Sequence, residues 1–254
     1  MIKKDFDKAL EIITLAGQIV LGSGGETYRA ENICVDIANK LGIKKIDVLA
    51  LPTGLLITIE KGKENHKTMV RRMRVRVVNL EKLALVHRIS QEITPTNIDK
   101  SLALLKSLNK LTPKHRYYLP FFAGLAAGFF CVMLGGHFGD FLVAFLCGLF
   151  IQLVAVSFKR IDVFSCLISM FGGFFAAAFS LFMATVIPGI NYELAIIGSM
   201  IPLMPGLAFT NSIRDTMHGD LLSGTSRMAE ALMVAASLAF GVGIVLSLKG
   251  LVGL

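Results

Sequence analysis

Leu194 to Asp215 reads LAIIGSMIPLMPGLAFTNSIRD, and its first 20 residues, through Ile213, carry no charged side chain. About 20 apolar residues are what a helix needs to cross a hydrocarbon core of roughly 30 Å. Pro202, Pro205 and Gly206 interrupt this run in its middle. A spanning helix broken there frees backbone amides and carbonyls inside the membrane, which is tolerated only where protein or a water-filled cavity satisfies them. Transporters build substrate sites from such broken helices. Thr210, Asn211, Arg214 and Asp215 follow the break directly, so polar and charged groups stand at one mouth of the span.

Working outward, four further apolar segments are long enough to cross: Leu119–Gly136, Phe141–Phe158, Val163 to about Ile187, and Ala231–Leu248. The expected fold class is therefore a polytopic α-helical membrane protein with five transmembrane helices, one of them broken, behind an N-terminal α+β domain. Charge divides the chain at the same place. Residues 1–116 hold 21 of the 26 Lys and Arg and 12 of the 18 Asp and Glu, so the net +8 belongs to the first part. This predicts a cytoplasmic α+β domain over 1–116 and a membrane domain over 117–254. A basic domain beside a bilayer fits the positive-inside rule and attraction to anionic lipid, and a nucleic-acid partner is set aside on that ground.

With the basic part inside, the connections alternate. His137–Asp140 and Pro188–Glu193 lie outside, and Lys159-Arg160 and the loop Arg214–Arg227 lie inside, with Lys249 the one basic residue on the far side. The N-terminus is then cytoplasmic, the C-terminus outside, and the location a cell inner (plasma) membrane. The N-terminus leads into an amphipathic stretch without a small-residue cleavage site, so no secretory signal is expected. Cys34, Cys131, Cys147 and Cys166 form no CxxC pair and read as four free, buried thiols.

Within the first domain, Leu10, Ile13, Leu15, Ala16, Ile19 and Val20 fit one helical stripe that Gly22-Ser-Gly-Gly25 ends. A second helix is expected from Glu26 to Leu41, then a hairpin of Ile46–Leu51 and Leu55–Glu60 about Pro52-Thr53-Gly54, and a third strand over Thr68–Val77. Helices over Asn79–Ile93 and Thr96–Leu111 complete it, with Thr94 or Thr96 as cap of the last. Lys110–Tyr118, with Pro113, is the junction, and Tyr117-Tyr118 suits headgroup depth. On the third strand Arg72, Arg74 and Arg76 share a face, either a solvated surface or an attractor of anions.

The motifs GSGGETYRAE at Gly22–Glu31, Pro52-Thr53, Pro205-Gly206, Thr210-Asn211, Ile213-Arg214-Asp215, Gly219-Asp220 and Ser223-Gly224 resemble the threonine/serine exporter family, in that family's order and over nearly the whole chain. Full-length members have about twice as many spans. The resemblance therefore implies the N-terminal-half subunit of a split, two-component form, completed by a second small membrane subunit. For the split form it implies dicarboxylates such as succinate as cargo beside threonine and serine.

The substrate path is assigned to Pro202, Pro205, Gly206, Thr210, Asn211, Arg214 and Asp215. The prolines lack amide protons and leave oxygens near Gly198 and Ile201 for a ligand. Thr210 and Asn211 offer donors and acceptors for an amino or hydroxyl group. The alternative is a proline kink used for packing. Gate or coupling roles go to Glu193, Asp220, Arg227 and Glu230, the charged cluster being either a gate, an anion site for a substrate carboxylate, or a solvated loop. His218 is a proton carrier or a plain surface histidine. Asp140, Asp162 and Glu193 all fall at span ends, so a proton-coupled mechanism would use an interfacial acid or the partner. Glu26, Thr27 and Arg29, with Glu31, read as a helix-turn-helix corner coupling the two domains, since the glycine run lacks the strand and the GK[ST] of a phosphate loop.

The reading is a subunit of a secondary transporter, driven by the proton-motive force, with no cofactor and no enzymatic role. Its partners are a second membrane subunit, membrane lipid and a small-molecule substrate, in a hetero- or homo-oligomer. One alternative is a membrane-anchored ligand sensor or regulatory subunit without transport of its own. An intramembrane aspartyl protease is the other, but Gly136-His-Phe-Gly-Asp140 lacks the GxGD spacing.

Overall fold

The first apolar stripe folds as α1 (Lys3–Gly22), with Ile12, Ile13, Ala16, Ile19 and Val20 buried on the face that the 3.6-residue period predicts. The structure, a computed structural model, describes residues 3–61, 65–73, 77–111, 118–158 and 165–252. It divides into two compact units, residues 1–113 with 209–228, and residues 114–208 with 229–254.

In the first unit α1 is followed by α2 (Thr27–Lys40) and an antiparallel sheet of β1 (Lys45–Leu51), β2 (Gly54–Lys61) and β3 (Asn65–Arg72), in the order β1-β2-β3. The hairpin register pairs Lys45 with Glu60 and Leu51 with Gly54 about Pro52-Thr53. On β2, Leu55, Ile57 and Ile59 alternate into the core, as a period of two requires. Their face meets α1 at Gly17, where an added Cβ would lie 2.7 Å from both the Cys34 sulfur and a Leu55 methyl. Cys34 is buried, its Sγ donates to the Ile13 carbonyl at 3.4 Å, and burial pushes its thiol up to about 12. It is packing, not a nucleophile. The helices α3 (Leu80–Glu92) and α4 (Ile98–Lys110) close the core through Val86, Leu105 and Leu108.

The third strand departs from expectation. Its ladder with β2 runs from Asn65 to Arg72, and the Met73 amide continues it in register to the Thr53 carbonyl at 2.8 Å. Arg72 is exposed at the strand end, whereas Arg74 and Arg76 lie outside the described residues, and so does their shared face. The expected threonine cap of α4 is also corrected. Asn97 holds that position, accepting from the Thr94 amide at 2.8 Å and donating to the Glu92 carbonyl at 2.9 Å, so it ties the ends of α3 and α4 together.

The second unit is built of α5 (Leu119–Met133), α6 (Phe138–Phe158), α7 (Ser165–Val186), α8 (Tyr192–Met200), the 3-10 turn Ile201–Leu203, and the later part of α10 (Leu221–Val252). Between α8 and α10 the chain forms α9 (Gly206–Met217), which begins in this unit and ends in the first. Among the described residues α6, α7 and α10 are long and apolar enough to cross a membrane. The pair Tyr192–Leu203 and Gly206–Met217 counts as one broken span, bent by 56°. The expected first span is shorter: α5 has 15 residues and ends at Met133, where Gly135 and Gly136 turn the chain.

Other boundaries move too. His137–Asp140 is mostly helix rather than loop. Asp140, fully buried in the first turn of α6, accepts from the His137 amide at 2.8 Å and the Asn191 amide at 2.7 Å. Arg214–Arg227 is likewise not a loop, because α9 runs to Met217 and α10 starts at Leu221. Pro113 and Tyr117 of the junction, Lys159-Arg160 and Asp162 lie outside the described residues, and Tyr118 is exposed before α5. Three cysteines are buried and Cys166 is only half-buried.

Backbones in this unit meet at glycines. A Cβ on Gly124 would lie 2.8 Å from the Phe145 carbonyl, one on Gly173 2.3 Å from the Leu238 carbonyl, and one on Gly241 2.1 Å from the Met170 carbonyl. Large side chains such as Phe129, Phe182 and Phe240 face outward and are more than half exposed, as lipid-facing positions are.

Candidate functional site

Two helix corners, nearly 190 residues apart in sequence, make one polar cluster in the first unit. The first lies between α1 and α2. Gly24, at φ 81°, ends α1 with its amide on the Leu21 carbonyl and the Gly25 amide on the Val20 carbonyl at 2.9 Å. That is the left-handed C-terminal cap a side chain disfavours. The corner is held from behind by Val77 and Asn79, whose amides donate to the Gly22 and Ser23 carbonyls. The second corner, between α9 and α10, repeats the device with Gly219 at φ 90° and the Asp220 amide on the Asp215 carbonyl at 2.9 Å. The turn brings the side chains of Asp215 and Asp220 to one side. Gly224 then lets α10 pass α9, since a Cβ there would lie 2.1 Å from the Thr216 hydroxyl.

The corners satisfy one another's backbone. Asp215 Oδ1 accepts from the Thr27 amide at 3.2 Å, one of the unpaired donors that open α2, where the cap residue Glu26 makes no such bond itself. The Thr27 hydroxyl donates to Asp220 Oδ2 at 2.9 Å. Asn211 Nδ2 donates to the Gly24 carbonyl at 3.0 Å and Arg227 Nη2 to the Gly25 carbonyl at 2.9 Å. Arg227 Nε lies 3.0 Å from Asp215 Oδ2, and both side chains are almost wholly shielded, at 4% and 0% exposed. Such a pair contributes little net, but removing one member strands the other charge in a dry site.

Around this buried pair lies a more open ring. Arg214 donates to the buried Glu26 carboxylate, which Arg29 also approaches at 3.2 Å. Burial pushes the Glu26 carboxyl up, but its own backbone amide and the guanidinium groups of Arg214 and Arg29 outweigh this and hold it below the usual Glu value. Glu31, one turn after Thr27, goes the other way. Burial is the largest cause and the carboxylates of Asp220 and Asp215 add to it, so its carboxyl lies above the usual value despite accepting from the Ala50 amide at 2.8 Å. His218 stacks flat on Tyr28, centroids 4.0 Å apart, and its Nδ1 meets the Arg214 carbonyl at 2.9 Å.

Of the residues singled out in sequence, Glu26, Thr27, Asn211, Arg214, Asp215, Asp220 and Arg227 thus stand together, with Arg29 at the edge. Thr210 is exposed on α9. Glu193, Pro202, Pro205, Gly206 and Glu230 belong to the other unit. There the expected free oxygens are taken. The Gly198 carbonyl accepts from the Ile201 amide and the Ile201 carbonyl from the Met204 amide at 3.1 Å, because the 3-10 turn re-pairs what the prolines release. Asn211 likewise spends its amide on Gly24. Glu193 sits in the first turn of α8 beside the cap Asn191, and the Tyr192 hydroxyl donates to it at 3.4 Å. Sequence reasoning missed Tyr28 as a stacking partner and Glu31 as the acid facing two aspartates. The signal for both was their place inside the Gly22–Glu31 motif.

Comparison with known proteins supplies a frame for this geometry. A family model described as "Putative threonine/serine exporter" matches residues 11–249. A "Probable threonine/serine exporter" of Mycobacterium tuberculosis (strain ATCC 25618 / H37Rv) is 24% identical over 257 residues, covering 96% of this chain and 46% of that protein. The chain spans about half the length of the curated relative it matches. No solved structure matches.

Proposed function

The chain belongs to the threonine/serine exporter family, as a multi-pass membrane protein, and from that premise we propose that it is one half of a secondary exporter of small polar solutes. The solutes are threonine and serine or dicarboxylates such as succinate, and the driving force is the proton-motive force. A second membrane subunit supplies the other half, a reading supported by the relative's roughly twofold greater length. Five spans, with α5 as a short one, and a cytoplasmic N-terminus complete the proposed topology.

The observation that carries the proposal is the bent pair α8 and α9. It is broken at Pro202–Pro205, and the polar end of α9 is fastened by Arg214, Asp215 and Asn211 to the α1-α2 corner. In this reading substrate passes beside the break. The corner cluster fixes the far end of α9 and works as gate or coupling element, with Arg214 and Glu26 its separable outer pair. Because the Gly198 and Ile201 carbonyls are occupied in this state, substrate access at the break requires the 3-10 turn to open.

Efflux of threonine, serine and succinate from cells, with and without a co-expressed second subunit, tests the function directly. An exporter gives flux in at least one pairing, collapsed by a protonophore. A ligand sensor gives none in any. Arg214→Ala is expected to lower efflux at least tenfold while the chain still inserts, because the guanidinium is partly exposed and the buried Glu26 carboxylate keeps Arg29 at 3.2 Å. Unchanged efflux would remove the corner from the mechanism.

A further inference from the structure

The second unit holds a cavity of about 640 Å³ at one end of α7, α8 and α10. Its wall is apolar, with Leu181, Phe182 and Val245, and its rim polar, with Thr185, Tyr192 and Lys249. The volume lies inside the roughly 300–1,000 Å³ of sites that hold an organic ligand. Thr185 is in the last turn of α7, Tyr192 opens α8, and Lys249 is in the last turn of α10. Leu181 and Val245 lie one turn further in on the same helices. The gradient is that of one bilayer leaflet, with Lys and Tyr at headgroup depth and aliphatic side chains beneath.

Charge selects the occupant. Lys249 is the sole Lys or Arg after Arg227. Its Nζ lies 4.1 Å from the centroid of the Tyr192 ring, which seats the ammonium at the rim and leaves donors pointing away from the ring. Among the described residues no carboxylate lines the cavity, and the neighbouring Glu193 takes the Tyr192 hydroxyl instead. A lone cation above an apolar wall fits an anionic head on an apolar body. We propose that this cavity binds an anionic phospholipid, its phosphate on Lys249 and one acyl chain along Leu181, Phe182 and Val245. The site needs only that α7 and α10 lie in a bilayer, so it stands or falls apart from the transported solute.

The test is native mass spectrometry of the full chain released from detergent, titrated with phosphatidylglycerol and with phosphatidylcholine of matched acyl chains. The expected result is phosphatidylglycerol held about fivefold tighter, the order one Lys beside an anionic headgroup supplies. Lys249→Gln should erase that preference by weakening phosphatidylglycerol more than the net-neutral phosphatidylcholine. Ala178→Phe, which fills the cavity wall, should weaken both lipids. Should that variant fail to fold, the half-buried rim variant Lys249→Gln carries the test. Equal affinity for the two lipids in the native chain, a preference that survives Lys249→Gln, or lipid binding unchanged in a folded Ala178→Phe chain, overturns the proposal.

Discussion

The two units solve the problem of packing helices in opposite ways. In the first, large aliphatic side chains of α1, β2 and α4 are driven together out of water, and the buried charged side chains Glu26, Asp215 and Arg227 gather at the two corners. In the second, the large side chains point outward and the helices approach through Gly124, Gly173 and Gly241. The physical reason is the solvent. Lipid tails are as apolar as Leu, so burying Leu gains nothing there, and close backbone approach must supply the contact. Substitutions that look alike should therefore act differently in the two units.

The largest effect is expected at the corners, where the first unit departs from its own rule. Arg227→Ala leaves Asp215 charged and buried, at a cost of about 3–5 kcal/mol. Thermal unfolding of the detergent-solubilised chain measures it. A loss below about 1 kcal/mol would mean water reaches the pair, on the scale of exposed ion pairs. Next comes the aliphatic core. Ile57→Ala on β2 should cost about 2–5 kcal/mol in the same assay, since Ile57 is fully buried in the core and its truncation leaves a void there.

The mirror experiment in the second unit is Gly173→Val. An added Cβ would meet the Leu238 carbonyl at 2.3 Å, and forcing α7 from α10 should cost about 1–3 kcal/mol. An enlarged residue that leaves stability untouched would show that glycine contacts are not what joins these helices. The comparison would then fail.

The smallest effect separates two acids of one corner. Glu31 has its carboxyl raised by burial and by Asp220 and Asp215, so the native state holds the proton more readily than the unfolded chain. Its contribution is full below the usual Glu value and is lost as pH rises through the raised one. Glu26 is lowered, so its contribution is present above the usual value and is lost as pH falls through the lowered one. Melting temperature against pH should accordingly lose its decline on the alkaline side of the usual Glu value in Glu31→Gln. In Glu26→Gln it should lose part of its acid-side decline. Identical profiles would refute the opposition.

The α+β order of the first domain, the helix stripe on α1 and the alternation on β2 were legible because periodicity is a local property of the chain. So was the break at Pro202–Pro205. The boundaries that moved are those where a side chain acts at a distance. Asp140 draws residues 138–140 into α6 by accepting from the His137 and Asn191 amides. At the site, sequence supplied the residues but misread some of their partners. Asn211 donates through Nδ2 to the Gly24 carbonyl, and the carbonyls freed by proline are re-paired within one turn.

The amino-acid sequence by itself determined the long apolar helices α6, α7 and α10, the broken helix and the two polar motifs, because hydrophobicity, proline and glycine act on their own neighbours. Only the tertiary structure decided that Gly22–Glu31 and Asn211–Arg227 form one cluster. Asp215 pairs with both an amide of α2 and a guanidinium of α10 because two left-handed turns, at Gly24 and Gly219, present bare backbone and carboxylates to each other. Nothing in either motif alone specifies the other as its partner. The need of buried polar groups to be satisfied is what brings them together.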